Sequence, residues 1–289
     1  MSNTDRSAEV FCTDLVRAQD FRTYAASLFV PPEARRAWIA LAAFNAEVAH
    51  VRDHVTQPLP GEIRLQWWRD ALTREGQGGE HSAVEGNPVA AELLRAIARH
   101  DLPVETFVRL IDAHVFDVYD DPMPDMAALE AHCRDTSAAM YDLRARVLGV
   151  NSPEIARLAE HAGLAEGLVD VMLALPRHAA RRQLYVPGDL MNLHGVIAED
   201  VFLHQANASL KDALAHLRRE ARSQMDQARA MLLLKTTPPA ARPAFLSLAV
   251  IGKTLTRLET SEPFTPPLPS RLGVLWTTWR AASTKPFGA

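Results

Sequence analysis

Glu47, His50 and Asp53 stand at i, i+3 and i+6 of a segment with helical apolar spacing, loosely on one side of it. Carboxylates and an imidazole so placed could ligate a metal other than Mg²⁺. His50 and His54, at i and i+4, offer a second pairing. The ordinary alternative is that each side chain pairs with a neighbour. A second group lies far along the chain: Arg177, His178, Arg181 and Arg182. Guanidinium forks suit an anion such as a diphosphate or a phospholipid head group. The alternative there is a solvated basic turn whose arginines pair with Asp53, Asp170 or Asp189. The two cysteines, Cys12 and Cys133, lack partners at metal-binding spacing. Neither a disulfide framework nor a zinc site is expected, and both read as structural thiols.

These residues must be held by helices. Apolar residues recur at spacings of three and four and the strand signal is nearly absent, which predicts about ten helices. The first two cover roughly 5–18 and 20–29. A long third helix opens at Pro32, suited to a first turn, and runs to about Val55. Leu41, Phe44, Val48, Val51 and Val55 line one face of it; Ile39, Ala42, Ala46, Ala49 and Asp53 line the other. A helix apolar or small on both sides belongs inside a bundle. Glu62–Glu75 carries Leu65, Trp68 and Leu72 on one face, with Trp67 either a contact surface or part of the core. Gly76–Pro88 reads as a loop. Helices are expected near 88–99, 103–120 and 125–148, then from Pro153 to a stop at Pro176. Residues 177–199 read as irregular. Helices near 207–233 and 240–261 are followed by a Pro-rich stretch, Pro263–Pro269, and a short last helix. There Leu272, Leu275, Trp276 and Trp279 form a stripe that would meet a membrane surface, a partner or the chain's own bundle.

With 289 residues, 48% of them hydrophobic and 23% charged, the chain can bury a sizeable core, and no linker divides it. It is expected to be one helical domain over 1–289. A net charge of −4 provides no basic field for nucleic acid. The polar N-terminus does not read as a signal peptide, and no apolar run is long enough to span a bilayer. The expected location is the cytoplasm or the inner face of the membrane.

The segment Ala43-Phe44-Asn45-Ala46-Glu47-Val48-Ala49-His50-Val51-Arg52-Asp53 resembles the first acidic helix of the squalene/phytoene synthase family, A-F-x-R-x-x-D-D-x-x-D. In that family the aspartates hold Mg²⁺ and the metal holds a prenyl diphosphate. Here Ala46 takes the arginine's place, Ala49 and His50 take two aspartate places, and Asp53 remains. The family's second acidic segment resembles Q-L-T-N-I-x-R-D-x-x-x-D followed by basic residues and Y-L-P. Counting back from Tyr185 puts Gly167 at the glutamine, Asp170 at the asparagine, Leu173 at the arginine, Ala174 at the first aspartate and His178 at the last. A third segment, Y-C-x-x-V-A-G-x-V-G, is similar to His132–Tyr141, with Ala138 and Tyr141 at two glycine places. One subgroup fits better. It has Phe44-Asn45, Glu47, Ala49 and Asp53; Gly61-Glu62-Ile63-Arg64-Leu65-Gln66-Trp67-Trp68-Arg69-Asp70-Ala71-Leu72; and Pro176, His178, Arg181-Arg182 and Pro187. That subgroup resembles the bacterial relatives of a mitochondrial respiratory complex I assembly factor.

The resemblance covers about residues 20–265 and implies an all-α, isoprenoid-synthase-like helical bundle around a central cavity. Ala46, Ala49, His50, Asp53, Tyr141, Asp170 and Ala174 are expected to line that cavity, with Tyr141 narrowing it. No catalytic or metal-binding residue and no cofactor is expected, because alanine cannot ligate and histidine is a poor Mg²⁺ ligand. The implied role is complex I assembly, with complex I subunits or intermediates as partners, or binding of a prenyl diphosphate or phospholipid. Two alternatives stay open: an active head-to-head prenyl transferase, which would need Mg²⁺, and a carrier or sensor of prenyl lipid.

Overall fold

Helical spacing along the chain produces helices and no strand among the described residues of the computed structural model, which are 3–55, 57–75, 86–119 and 121–287. In chain order the α-helices are α1 (Asn3–Gln19), α2 (Phe21–Ser27), α3 (Pro32–Ala49), α4 (Pro58–Glu75), α5 (Pro88–His100), α6 (Val104–Val118), α7 (Met126–Cys133), α8 (Ala139–Val147), α9 (Pro153–Ala180), α10 (Gly188–His194), α11 (Ala198–Phe202), α12 (Ala208–Leu233), α13 (Ser247–Leu258) and α14 (Arg271–Ala282). The loop expected over Gly76–Pro88 falls largely on residues 76–85, outside the described ones. One contiguous cluster of buried apolar side chains receives residues from every one of these helices.

α3 runs through the middle of that cluster, as its two-sided apolar pattern requires. Phe44 is fully buried, edge-on to Trp68 at 5.1 Å and to Phe107 at 5.5 Å between ring centroids. Burial of such a ring stabilises the fold by about 1.5–3 kcal/mol. The α-helix ends at Ala49 rather than near Val55. His50 donates from Nδ1 to the Ala46 carbonyl (2.7 Å), and the chain tightens into a 3₁₀ turn over Val51–His54. Trp67 is half-buried and packs edge-on against buried Trp68. Helix starts follow capping chemistry: Asp125 caps α7, Ser152 caps α9 ahead of Pro153, and Asn207 caps α12.

Three further elements depart from the sequence expectations. The helix expected over 125–148 is broken by a π-helical turn at Arg134–Ala138. α9 does not stop at Pro176 but continues to Ala180. A proline forfeits one hydrogen bond and kinks a helix, yet Leu175 before it and Ala179 after it are both buried, so packing carries the helix past it. Residues 177–199 are therefore not irregular throughout; they contain the end of α9, all of α10 and the start of α11. α9 packs on α8, the π-turn, α12 and α13. α14 lies against α2 and α13 through Val274, Thr278 and Ala281. Of its expected stripe, Leu275 joins that contact, while Leu272, Trp276 and Trp279 face outward.

Candidate functional site

A cavity of about 310 Å³ opens between α2, α3, α6, the α7–π-turn segment and α9. Ala46 and Ala49 line it from α3 and His50 from just past its end, and Asp170, Ala174, Arg177 and His178 line it from α9. The small alanines leave the space: at these places a longer side chain would fill it. Ala42, expected in the same stripe, is instead packed in the core. Tyr141 does not enter the cavity either. It is fully buried, stacked on Phe245 at 5.5 Å, and its hydroxyl donates to Glu166 and shares a 2.7 Å bond with Ser247. A phenol with two polar partners in the core is satisfied there, which removes any reason to project into open space.

Asp53, expected to line the cavity, is not among its lining residues, because it is held in the 3₁₀ turn after α3 against the end of α9. Asp53 accepts from Arg181 Nη1 at 2.5 Å and from Arg177 Nη1 at 3.4 Å, with His50 Nε2 4.0 Å away. Burial pushes the Asp53 carboxyl up, but the Arg181 hydrogen bond and the charges of Arg177 and Arg181 outweigh it and hold the group below its ordinary value. The four basic residues read as one anion cradle do not converge. Arg182 points away, pairing with Glu199 at 2.8 Å and lying over the Phe202 ring at 4.4 Å. His178 is buried and stacked on Tyr185 at 4.4 Å, and burial first, then Arg177, lowers its pKa to about 4, so it is neutral. His178 differs from Arg177 and Arg181 by its place on α9, and Arg182, with φ of 56°, lies beyond the helix where the chain turns away.

Two partly buried networks on the cavity wall escaped the sequence reading. Arg22 of α2 grips α9 by donating to Glu166 at 2.6 Å and to Asp170 at 2.9 and 3.2 Å. Burial opposes the Arg22 charge, but Asp170 and Glu166 hold its pKa well above the ordinary value; Glu166 itself is pushed up by burial. On the α6 side, Asp117 accepts from His114 Nδ1 at 2.5 Å and from the Tyr185 hydroxyl, with His132 Nε2 at 3.9 Å. Burial raises Asp117, and His114, His132 and the Tyr185 hydrogen bond together outweigh it, leaving a lowered pKa. Burial pushes the Tyr185 hydroxyl far up. Arg22 lies 148 residues from Asp170, and no local pattern joins them. The i, i+3 spacing of His114 and Asp117 was the only available signal for the second network.

The carboxylates and histidines are thus divided among separate partners. Glu47 pairs with Arg64 at 3.0 Å, His50 with the Ala46 carbonyl and Asp53 with Arg181. Among the described residues no three His, Cys, Asp or Glu side chains are grouped so as to hold a metal ion. Gly167, at the glutamine place of the second acidic segment, has no room for a side chain: a Cβ there would lie 2.4 Å from Cys133 Sγ.

Comparison with known proteins matches this architecture. The squalene/phytoene synthase family profile matches residues 16–280. The chain is 31% identical over 252 residues to the rat (Rattus norvegicus) NADH dehydrogenase (ubiquinone) complex I, assembly factor 6, covering 87% of this chain and 74% of that one. Its fold is similar to a squalene synthase from Alicyclobacillus acidocaldarius, with TM-score 0.78, 23% identity and coverage of 92% and 98% of the two chains. A dehydrosqualene synthase in complex with ligand superposes with TM-score 0.81 at 15% identity, covering 96% and 95%. The helical bundle, the cavity between α3 and α9 and the profile match agree: this chain belongs to the squalene/phytoene synthase family.

Proposed function

We propose that this chain assists the assembly of respiratory complex I, acting by binding a partner or lipid at the inner face of the membrane, and that it has given up Mg²⁺-dependent prenyl transfer. The observation that carries the reading is the Asp53 clamp. Departure of diphosphate from an allylic carbon needs its charge neutralised, which in this family falls to aspartate-bound Mg²⁺. Here the one aspartate left in the first acidic segment is neutralised by Arg177 and Arg181, from the end of the helix that bears the second segment. Ala174 occupies one aspartate place there, and Asp170 is occupied by Arg22. These donors do not fit a Mg²⁺–diphosphate pair. The named similarity to complex I assembly factors supports the role. No helix among the described residues is long and apolar enough to cross a membrane, which agrees with attachment at a surface.

Two measurements test this. Purified protein with Mg²⁺ and farnesyl or geranylgeranyl diphosphate should yield no hydrocarbon. Deletion of the gene in its host should lower assembled complex I on native gels, with rescue by the intact gene. Steady Mg²⁺-dependent product would establish the second reading, an active prenyl transferase, which the family membership and the retained cavity favour. Normal complex I in the deletion strain would remove the assembly role. A prenyl-lipid carrier would be recognised by extraction of prenyl lipid with the purified protein.

A further inference from the structure

α14 has two unlike faces. Val274, Thr278 and Ala281, at i, i+4 and i+7, are buried against α2 and α13. Leu272, Trp276 and Trp279 repeat the same spacing on the opposite side and are 79%, 59% and 52% exposed. Leu268, just ahead of the helix, is 73% exposed. The two indoles touch, with ring centroids 5.1 Å apart. Large apolar side chains grouped this way on a surface mark a contact site.

The surrounding charge says what kind of contact. From Pro263 to the end of the chain there is no aspartate or glutamate, in a protein whose overall charge is −4. The same stretch carries Arg271, Arg280 and Lys285, all exposed, placed at the start of α14, at its end and just beyond. Exposed Lys253 and Arg257 of α13 border the shallow groove beside α14. Arg271 lies over the Phe21 ring at 5.0 Å, which fixes one cation at the edge of the apolar strip. Indole rings with cations at both ends of a short helix are the chemistry of a bilayer interface: the rings enter the boundary of head groups and acyl chains, and the cations meet anionic lipid. A protein partner would need a matching acidic rim, and a second copy of this face would set cation against cation.

We propose that the outward face of α14 is a docking surface for an anionic lipid bilayer, with Leu272, Trp276 and Trp279 inserted and Arg280 and Lys285 on the head groups. This deepens the surface placement proposed above and is independent of the assembly role. A chain that binds vesicles while complex I assembly proceeds without it keeps this inference and loses that one.

The test uses the full chain and vesicles of phosphatidylcholine with or without phosphatidylglycerol. The protein should sediment with phosphatidylglycerol vesicles at low salt and be released as salt rises. The variant L272S/W276S/W279S should reduce binding by about tenfold or more, and R280Q/K285Q by about fivefold for each charge removed, on anionic vesicles only. Brominated acyl chains should quench fluorescence of the wild type and not of W276F/W279F, since Trp38 and Trp68 are fully buried and half-buried Trp67 is on α4, packed against Trp68 and the core. The replaced side chains are exposed, so circular dichroism and thermal midpoint should be unchanged. The proposal is overturned by absence of vesicle binding, by binding indifferent to phosphatidylglycerol, or by binding that the triple variant retains. It is equally overturned if the face holds a second copy or a protein partner and no vesicle, read as a triple-variant-sensitive dimer in sedimentation or a triple-variant-sensitive complex.

Discussion

Asp53 is a single carboxylate spanning two helices, and its worth can be measured. Asp53→Ala would leave Arg181, itself only 30% exposed, facing Arg177 without an anion. Because the pair is partly solvated, the cost should be about 1–2 kcal/mol, below that of a fully buried pair. In a chain of this size that is a fall in thermal midpoint of about 2–5 °C. Asp53→Ala/Arg181→Ala should cost less than the sum of the single variants. The pH dependence has a definite sign. The folded carboxyl titrates below its ordinary value, so its stabilisation is complete above the ordinary carboxylate range and disappears as pH falls through the lowered value. Urea denaturation should therefore separate wild type from Asp53→Ala at pH 7 and bring them together in strong acid. Equal stability at pH 7 would mean that the clamp contributes nothing to folding. The pairing of Asp53 with the basic turn was legible because complementary charges stood alone in two otherwise depleted segments. The Arg22 network was not legible, since only tertiary contact brings its members together, and of the Asp117 network only the His114 spacing within α6 showed, not the approach of His132 and Tyr185.

At the scale of elements, α9 and the π-turn approach more closely than side chains permit. A Cβ on Gly163 would lie 2.2 Å from the Ala138 backbone. Gly163→Ala should destabilise by about 2–3 kcal/mol, because backbone cannot swing aside in a packed interior. Gly252→Ala provides the contrast: its Cβ would meet only the Arg229 Nη2 tip at 2.3 Å, which can rotate away. That variant should be near neutral or gain from the better helix former. Equal losses for both would refute this account of the α9 contact, and denaturant midpoints decide it. Most helices could be read from period and capping residues, which act locally. The π-turn and the continuation past Pro176 could not, because each is a local cost that only neighbouring helices offset. The same limit applies to α14. Its apolar stripe was visible, but only packing decides that Leu275 turns inward while the two tryptophans stay out.

For the whole molecule, a main core that receives residues from every helix predicts unfolding in one cooperative step. The thiols report on it. Cys12 and Cys133 are 1% and 2% exposed, in different regions, and burial foremost pushes both up to about 12. Neither should react with a thiol reagent at pH 8 until the chain unfolds, and both should become reactive together along a urea series. Rapid modification of one in native buffer would reveal a locally opening region instead. The all-α class and its cavity were expected from spacing together with family resemblance, because both are properties of the entire pattern. The interior of the cavity was read less well: the alanines at aspartate places are plain in the sequence, but not that Arg22 takes up Asp170 and that Tyr185 joins His114 on Asp117.

The acid-free C-terminal segment has an electrical consequence. A chain that is negative overall and positive over its last helix carries a more negative body than its net charge states. Facing a plane of negative charge, such a molecule feels a torque as well as a pull: the body is repelled while the tail is attracted. Screening confines this to about 8 Å at physiological ionic strength. Rotational alignment would thus be completed in the last nanometre of approach, before any indole touches lipid, and every molecule would arrive with the same end down.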